Sequence, residues 1–286
     1  MTKLIALILL LSACAWAGPQ ILDRPELTDK KRGRKVPIKI YLPEEGNPKA
    51  LVLISHQAGG NRDSHESLAK YLSNLQYVVF SVEHQKSKDN NAALSDRARD
   101  ISFAIDQAED WHCNDPVLTG HIDLYRIGVI GFGEGAFAAL ATCGAQPSGF
   151  RQSFVDERVD CGIAVAPSWK PEELFSKDGY ETVAKPFICL SGVGGPSNRD
   201  TSAALSQACF QAMQPGDKHL ICISWADLMS SSSYPADVSH AAWLISEGLL
   251  REYLYNWGLL RTEEHRNRQA SECIRGQVQK IYWKVK

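Results

Sequence analysis

Short apolar runs of strand length recur along this chain, separated by stretches with helical periodicity, and few architectures accommodate such an alternation. Residues 36–42, 51–55, 77–82, 126–130, 162–166, 187–190 and 220–224 read as strands. Most of these runs are apolar without a polar alternate, which suits strands covered on both faces, as in a parallel sheet. Between them Leu68, Leu72 and Leu75 fall at helical spacing, as do Ile101, Ile105 and Ala108, with Ser95 placed to cap the second helix. Trp243, Leu250 and Trp257 mark one stripe of a late helix that Gly258 can end. The pattern predicts an α/β chain with a mostly parallel central sheet and helices on both faces.

The chain has 286 residues, 44% of them hydrophobic, and its 31 basic residues nearly balance its 33 acidic ones. That composition excludes disorder and gives no electrostatic case for nucleic acid. One domain can bury a full core at this length. At the front, Lys3 precedes an apolar run over 4–11, well short of the ~20 residues that a membrane-spanning helix needs. It reads as a signal peptide over residues 1–17, cleaved after Ala15-Trp16-Ala17. Alternatively, Leu11-Ser12-Ala13-Cys14 resembles a lipobox, in which Cys14 becomes a lipid anchor and the sole membrane contact. Either route implies export, with the protein secreted, periplasmic or lipid-anchored. A single domain over 18–286 follows, with a basic tail from about residue 260. Ile281, Trp283 and Val285 alternate there as in an edge strand or a docking tail. The basic run Lys30-Lys31-Arg32-Gly33-Arg34-Lys35 reads as a solvated hairpin turn.

Eight cysteines matter in an oxidising compartment. Removal or lipidation of Cys14 leaves an odd number. Cys189 and Cys222 sit in apolar runs and read as buried, whereas Cys113, Cys143 and Cys161 flank predicted elements and are the better disulfide candidates. No spacing typical of a zinc site occurs, so no metal is expected from cysteine.

The segment Arg126-Ile127-Gly128-Val129-Ile130-Gly131-Phe132-Gly133-Glu134-Gly135-Ala136-Phe137 runs from a strand through a glycine-rich turn into a helix. Residues 131–136 formally satisfy a dinucleotide fingerprint, G-x-G-x-x-G/A. However, several strands precede this one, and the next ends in Ala166-Pro167 without the acid that binds ribose, so no cofactor is expected. In the α/β-hydrolase fold the same strand–turn–helix carries G-x-S-x-G, with the nucleophilic serine on the turn. Gly131 and Gly135 supply the flanking glycines, and the nucleophile position is Gly133.

Further segments carry a family resemblance. Residues 29–43 look like an opening D-x-x-R-x-R-x-x-P-x-x-x-Y-x-P, Ser55-His56-Gln57-Ala58-Gly59-Gly60-Asn61-Arg62 is similar to S-H-G-x-G-G-S-R, and Glu83-His84 to a D-H pair. Arg97-Ala98-Arg99-Asp100-Ile101 matches a helix start R-x-x-D-I, and residues 121–128 match the lead-in to the turn. In this order they resemble the predicted dienelactone hydrolase group of α/β-hydrolases, relatives of the proteins similar to platelet-activating factor acetylhydrolase. The resemblance covers roughly residues 29–257.

The resemblance implies a Ser–His–acid triad and a backbone oxyanion hole. Its histidine falls on His240. Its acid position after Leu190 reads Ser191-Gly192-Val193-Gly194-Gly195-Pro196, with no carboxylate before Asp200. The hole would be formed by the amides of Gln57 or Ala58 and of Glu134. With glycine at the nucleophile position and the acid position empty, the expectation is a catalytically degenerate relative of carboxylic-ester hydrolases. It would bind a small ester, lipid or lactone-like ligand, or a protein partner. The alternatives keep an activity: a displaced nucleophile at Ser55, Ser168 or Ser191, or a water activated by Glu134 with His240. A metal hydrolase using His56, His84 and His240 is a further one, although in the family the first two are loop residues without metal.

Overall fold

The computed structural model describes residues 18–44, 47–85, 90–168, 174–193, 201–224, 248, 250–256 and 281–286. The strands are β1 (Gln20–Arg24), β2 (Thr28–Asp29), β3 (Arg34–Lys35), β4 (Ile38–Leu42), β5 (Lys49–Ser55), β6 (Val78–Val82), β7 (Ile122–Phe132), β8 (Cys161–Val165), β9 (Phe187–Val193), β10 (Lys218–Ser224) and β11 (Ile281–Val285). The helices are α1 (Glu66–Asn74), α2 (Asn90–Asn114), α3 (Gly135–Thr142), α4 (Lys177–Glu181) and α5 (Thr201–Ala212), and residues 250–255 are also helical. One 9-stranded sheet has the order β1-β4-β6-β5-β7-β8-β9-β10-β11. The strands from β6 to β10 in that order are parallel to one another, while β1, β4 and β11 pair antiparallel to their neighbours.

The apolar runs behave as their composition dictates. On β5, Leu51 and Leu53 point into one core with Phe80, Ile101 and Phe137, whereas Val52 and Ile54 point into the other with Leu68, Leu72 and Leu250. The two cores are the two faces of one sheet, each closed by helices. Every residue of α3 is buried. Its alanines allow it to lie close against β7, β8 and α2, and burial all round is the signature of a core helix. Fully burying a leucine or phenylalanine in this way contributes about 1.5–3 kcal/mol.

Several local readings are corrected. The helix expected to be capped by Ser95 begins at Asn90, so Ser95 lies within its second turn and is 3% exposed. A polar cap signal was outweighed by the inward-facing Leu94 and Ala98 around it. Strand β1, Gln-Ile-Leu-Asp-Arg, has too little apolar pattern to read from sequence and is defined by pairing with β4. The basic run does form a hairpin of β2 and β3, with Gly33 at φ 59° in its turn. Lys30, Lys31, Gly33 and Lys35 are exposed in it, whereas Arg32 and Arg34 reach inward to Asp96 and the buried Asp100. The alternating C-terminal residues form β11, an edge strand on β10. The six described cysteines carry free thiols, so Cys113, Cys143 and Cys161 are not disulfide partners. Cys143 and Cys161 are buried, and that burial pushes the Cys143 thiol up to about 12. Residues 1–17, with Cys14, and the residues Trp243, Trp257, Gly258 and Cys273 lie outside the described residues.

The sheet order places the site. From β5 the chain first moves to β6 on one side, then crosses by α2 to β7 on the other. Loops leaving the carboxyl ends of β5 and β7 therefore diverge around a crevice, where ligands bind in open α/β sheets.

Candidate functional site

Gly133 stands at the carboxyl end of β7, on the turn into α3, with φ 53°. This left-handed conformation is one that glycine adopts without penalty. Its amide donates to the Val165 carbonyl at 3.0 Å, which ties the turn to β8. A Cβ on Gly131 would lie 2.1 Å from the Gly135 carbonyl oxygen, and one on Gly135 would lie 2.2 Å from that of Ser55. Both flanking positions must be glycine for helix α3 to start against β5. Gly133 therefore sits on a sharp strand-to-helix turn.

The facing wall is the loop after β5. Ser55, the last residue of that strand, is fully buried, and its Oγ lies 2.8 Å from His84 Nε2. On its other side, His84 Nδ1 lies 3.0 Å from Asp100 Oδ2, and the Asp100 carboxylate also accepts from Arg32 and Arg34. The backbone N–H of His84 donates to His56 Nε2 at 3.1 Å. The remaining proton of His56 is therefore on Nδ1, which donates to the Gln57 carbonyl at 2.6 Å. Both ring nitrogens of His56 are thus committed, which leaves none for a metal. Arg97 Nη1 donates to the His56 carbonyl at 2.6 Å. Gln57 Oε1 accepts from His65 Nε2 at 2.9 Å, and the His65 ring stacks on Phe132, the residue before Gly133, with centroids 3.7 Å apart. A continuous hydrogen-bonded chain, extended by this stacked ring, runs from the β2–β3 hairpin to the glycine turn and fixes the loop from His56 to Gly60.

That loop meets the turn at one point. The exposed Ala58 donates its N–H to Glu134 Oε2 at 2.6 Å, and Glu134 itself is half-buried. Among the expected site residues, Gly133, Glu134, Gln57 and Ala58 are therefore brought together. His240, the empty acid position beyond Val193 and Asp200 lie outside the described residues. Of the displaced serines, Ser55 and Ser191 are fully buried, and Ser191 Oγ lies 3.7 Å from Cys222 Sγ. Ser168 is exposed, three residues beyond β8. The electrostatics are dominated by burial. It lowers His56 to about 4 and both His65 and His84 to about 3, so all three are neutral.

No protein-family model matches the chain. A stretch of 116 residues, 38% of this chain, is 28% identical to monoglyceride lipase of Homo sapiens, an α/β-hydrolase, and spans 35% of that protein's length. With the mixed sheet and the glycine turn after its central strand, that similarity decides the architecture. The fold is that of the α/β-hydrolases. Ser55, His84 and Asp100 lie far apart in the sequence, and nothing local to them shows that they share a role. Two arginines in the hairpin and one aspartate on the inner face of a helix were the available signal.

Proposed function

We propose that the protein is a non-catalytic α/β-hydrolase-fold relative of carboxylic-ester hydrolases. It uses the crevice between the β5 loop and the Gly133 turn to bind a small ester, lipid or lactone-like ligand. The observation that supports this reading is the glycine itself. Acyl transfer by this fold needs a hydroxyl at the apex of the turn, within about 2.6–3.2 Å of a base. Gly133 holds the conformation there and offers no oxygen. Loss of a triad member removes most of the rate and leaves what backbone donors and binding supply. The relative's name gives a glyceride ester as its substrate, an acyl compound of the class proposed here. Export by the leader over 1–17, with or without a lipid anchor at Cys14, belongs to the same proposal.

The test is turnover. The purified protein should hydrolyse short-chain p-nitrophenyl esters no faster than its His240→Ala variant, and serine-reactive fluorophosphonates should not label it. A second reading, a water activated by Glu134 with His240, is favoured by the half-exposed Glu134 carboxylate in the crevice. It predicts hydrolysis without fluorophosphonate labelling, lost in Glu134→Gln. Labelling and turnover lost together in Ser168→Ala would instead mark a relocated nucleophile.

A further inference from the structure

The crevice already contains an anion, and the protein supplies it. The Ala58 amide is the donor that faces the turn, and at 2.6 Å its bond to Glu134 Oε2 has the length of a charge-assisted contact. The backbone amide of Glu134 sits at the first turn of α3, where helical N–H groups have no intrahelical acceptor. Arg97, only 8% exposed, is anchored on the same loop as Ala58. Its one hydrogen bond among the described residues is to the His56 carbonyl, two positions from Ala58. It enters none of the ion pairs found among those residues. The guanidinium keeps donors to spare, and its charge is offset only at longer range by Glu134 and Asp100, against the burial that opposes it. A buried cation bonded two residues from an exposed amide favours an anion near both.

We propose that the notch between Ala58 and Glu134 is a carboxylate-binding site, and that Glu134 is its built-in plug. When the Glu134 side chain swings into water, the acid head group of an acyl chain takes its place on the Ala58 amide and near Arg97. The asymmetry of the two partners supports this motion. Glu134 is half-exposed and rehydrates readily, whereas Arg97 is held by His56 and cannot follow. The inference rests on the reading of the crevice as a non-catalytic acyl site and adds the head group it selects.

The experiment is calorimetric titration of butyrate, with methyl butyrate as the neutral ester, into the wild-type protein and into Glu134→Ala, Glu134→Gln and Glu134→Ala/Arg97→Met. Removing the plug should tighten butyrate binding by about tenfold or more, as expected for freeing one charge-assisted donor. Glu134→Gln, neutral but still filling the notch, should give a smaller gain, and adding Arg97→Met should abolish the gain. Binding of methyl butyrate should change little. Three results would overturn the proposal: no gain in folded Glu134→Ala, an equal gain for methyl butyrate, or a gain that survives loss of Arg97. If Glu134→Ala does not fold, the absence of any gain in Glu134→Gln overturns it equally. Ester turnover, followed separately on the wild type, reads the non-catalytic proposal on its own, so the two can fail independently.

Discussion

The Ser55 hydroxyl lies 2.8 Å from Nε2 of His84, whose Nδ1 lies 3.0 Å from the Asp100 carboxylate. Serine, histidine and aspartate are thus arranged as in a hydrolytic triad, yet the two outer members are fully buried and His84 is 6% exposed. A catalytic base must reach its substrate and take up a proton near the working pH. Burial holds His84 at about 3, so it stays neutral and its hydrogen bonds stay fixed. The relay ties the ends of β5 and β6 to α2 and the N-terminal hairpin, and through His56 it sets the loop that carries Ala58.

Removing the relay's charge should be far more damaging than removing its hydroxyl. Asp100→Ala leaves Arg32 and Arg34 without their buried partner and His84 without its acceptor. Breaking a buried ion pair from one side destabilises by about 3–5 kcal/mol. Ser55→Ala removes one neutral hydrogen bond, worth about 1 kcal/mol. Urea unfolding of the two variants measures the difference. Equal losses would contradict the assignment of Asp100 as the anchor.

Stability should fall on mild acidification. His56 and His84 have folded-state values of about 4 and about 3, depressed chiefly by burial, against an ordinary 6.5. Below pH 6.5 the unfolded chain therefore binds more protons than the folded one. Stability is full above that pH and is lost progressively down through the folded values. The slope is about 1.4 kcal/mol per pH unit for each histidine. Denaturation series between pH 7 and pH 4 should show this, and substitution of His84 should reduce the slope by one proton's worth.

The glycines of the turn should differ from those elsewhere. Gly131→Ala and Gly135→Ala would drive a Cβ to 2.1 and 2.2 Å from backbone oxygens, which only a shift of the strand or helix can relieve. A loss of about 3 kcal/mol or more is expected, above the usual range for overpacking. Gly59→Ala has open space around its Cβ and only its φ of 74° against it, so about 1 kcal/mol is expected. Thermal unfolding ranks the three.

Thiol reactivity should be confined. In a protein with Cys14 and Cys273 replaced by serine, Cys113 is the one exposed cysteine among those described and should react promptly with a disulfide reagent. Cys143, Cys161, Cys189 and Cys209 are buried, and burial pushes each thiol upward, so they should react only on unfolding. Rapid native modification of Cys143 would show that α3 does not pack against β8 as described.

Much of this architecture was written in the chain. Continuous apolar runs specified strands buried on both faces, and Gly131-Phe132-Gly133-Glu134-Gly135 specified a tight turn after the central one, because a Cβ at either flanking glycine would lie little more than 2 Å from a backbone oxygen. Those signals are local, and periodicity and sterics read them directly. What only the tertiary structure decided is where the polar groups end. That Arg32, Arg34 and His84 converge on Asp100, that Ser55 reaches His84, and that the Glu134 carboxylate sits on the Ala58 amide all depend on residues far apart in sequence. A buried polar atom must find a partner, but the sequence states only that the need exists. The crossover from β6 to β7 brings those partners within reach, and so it determines that the carboxylate on the Ala58 amide is the protein's own.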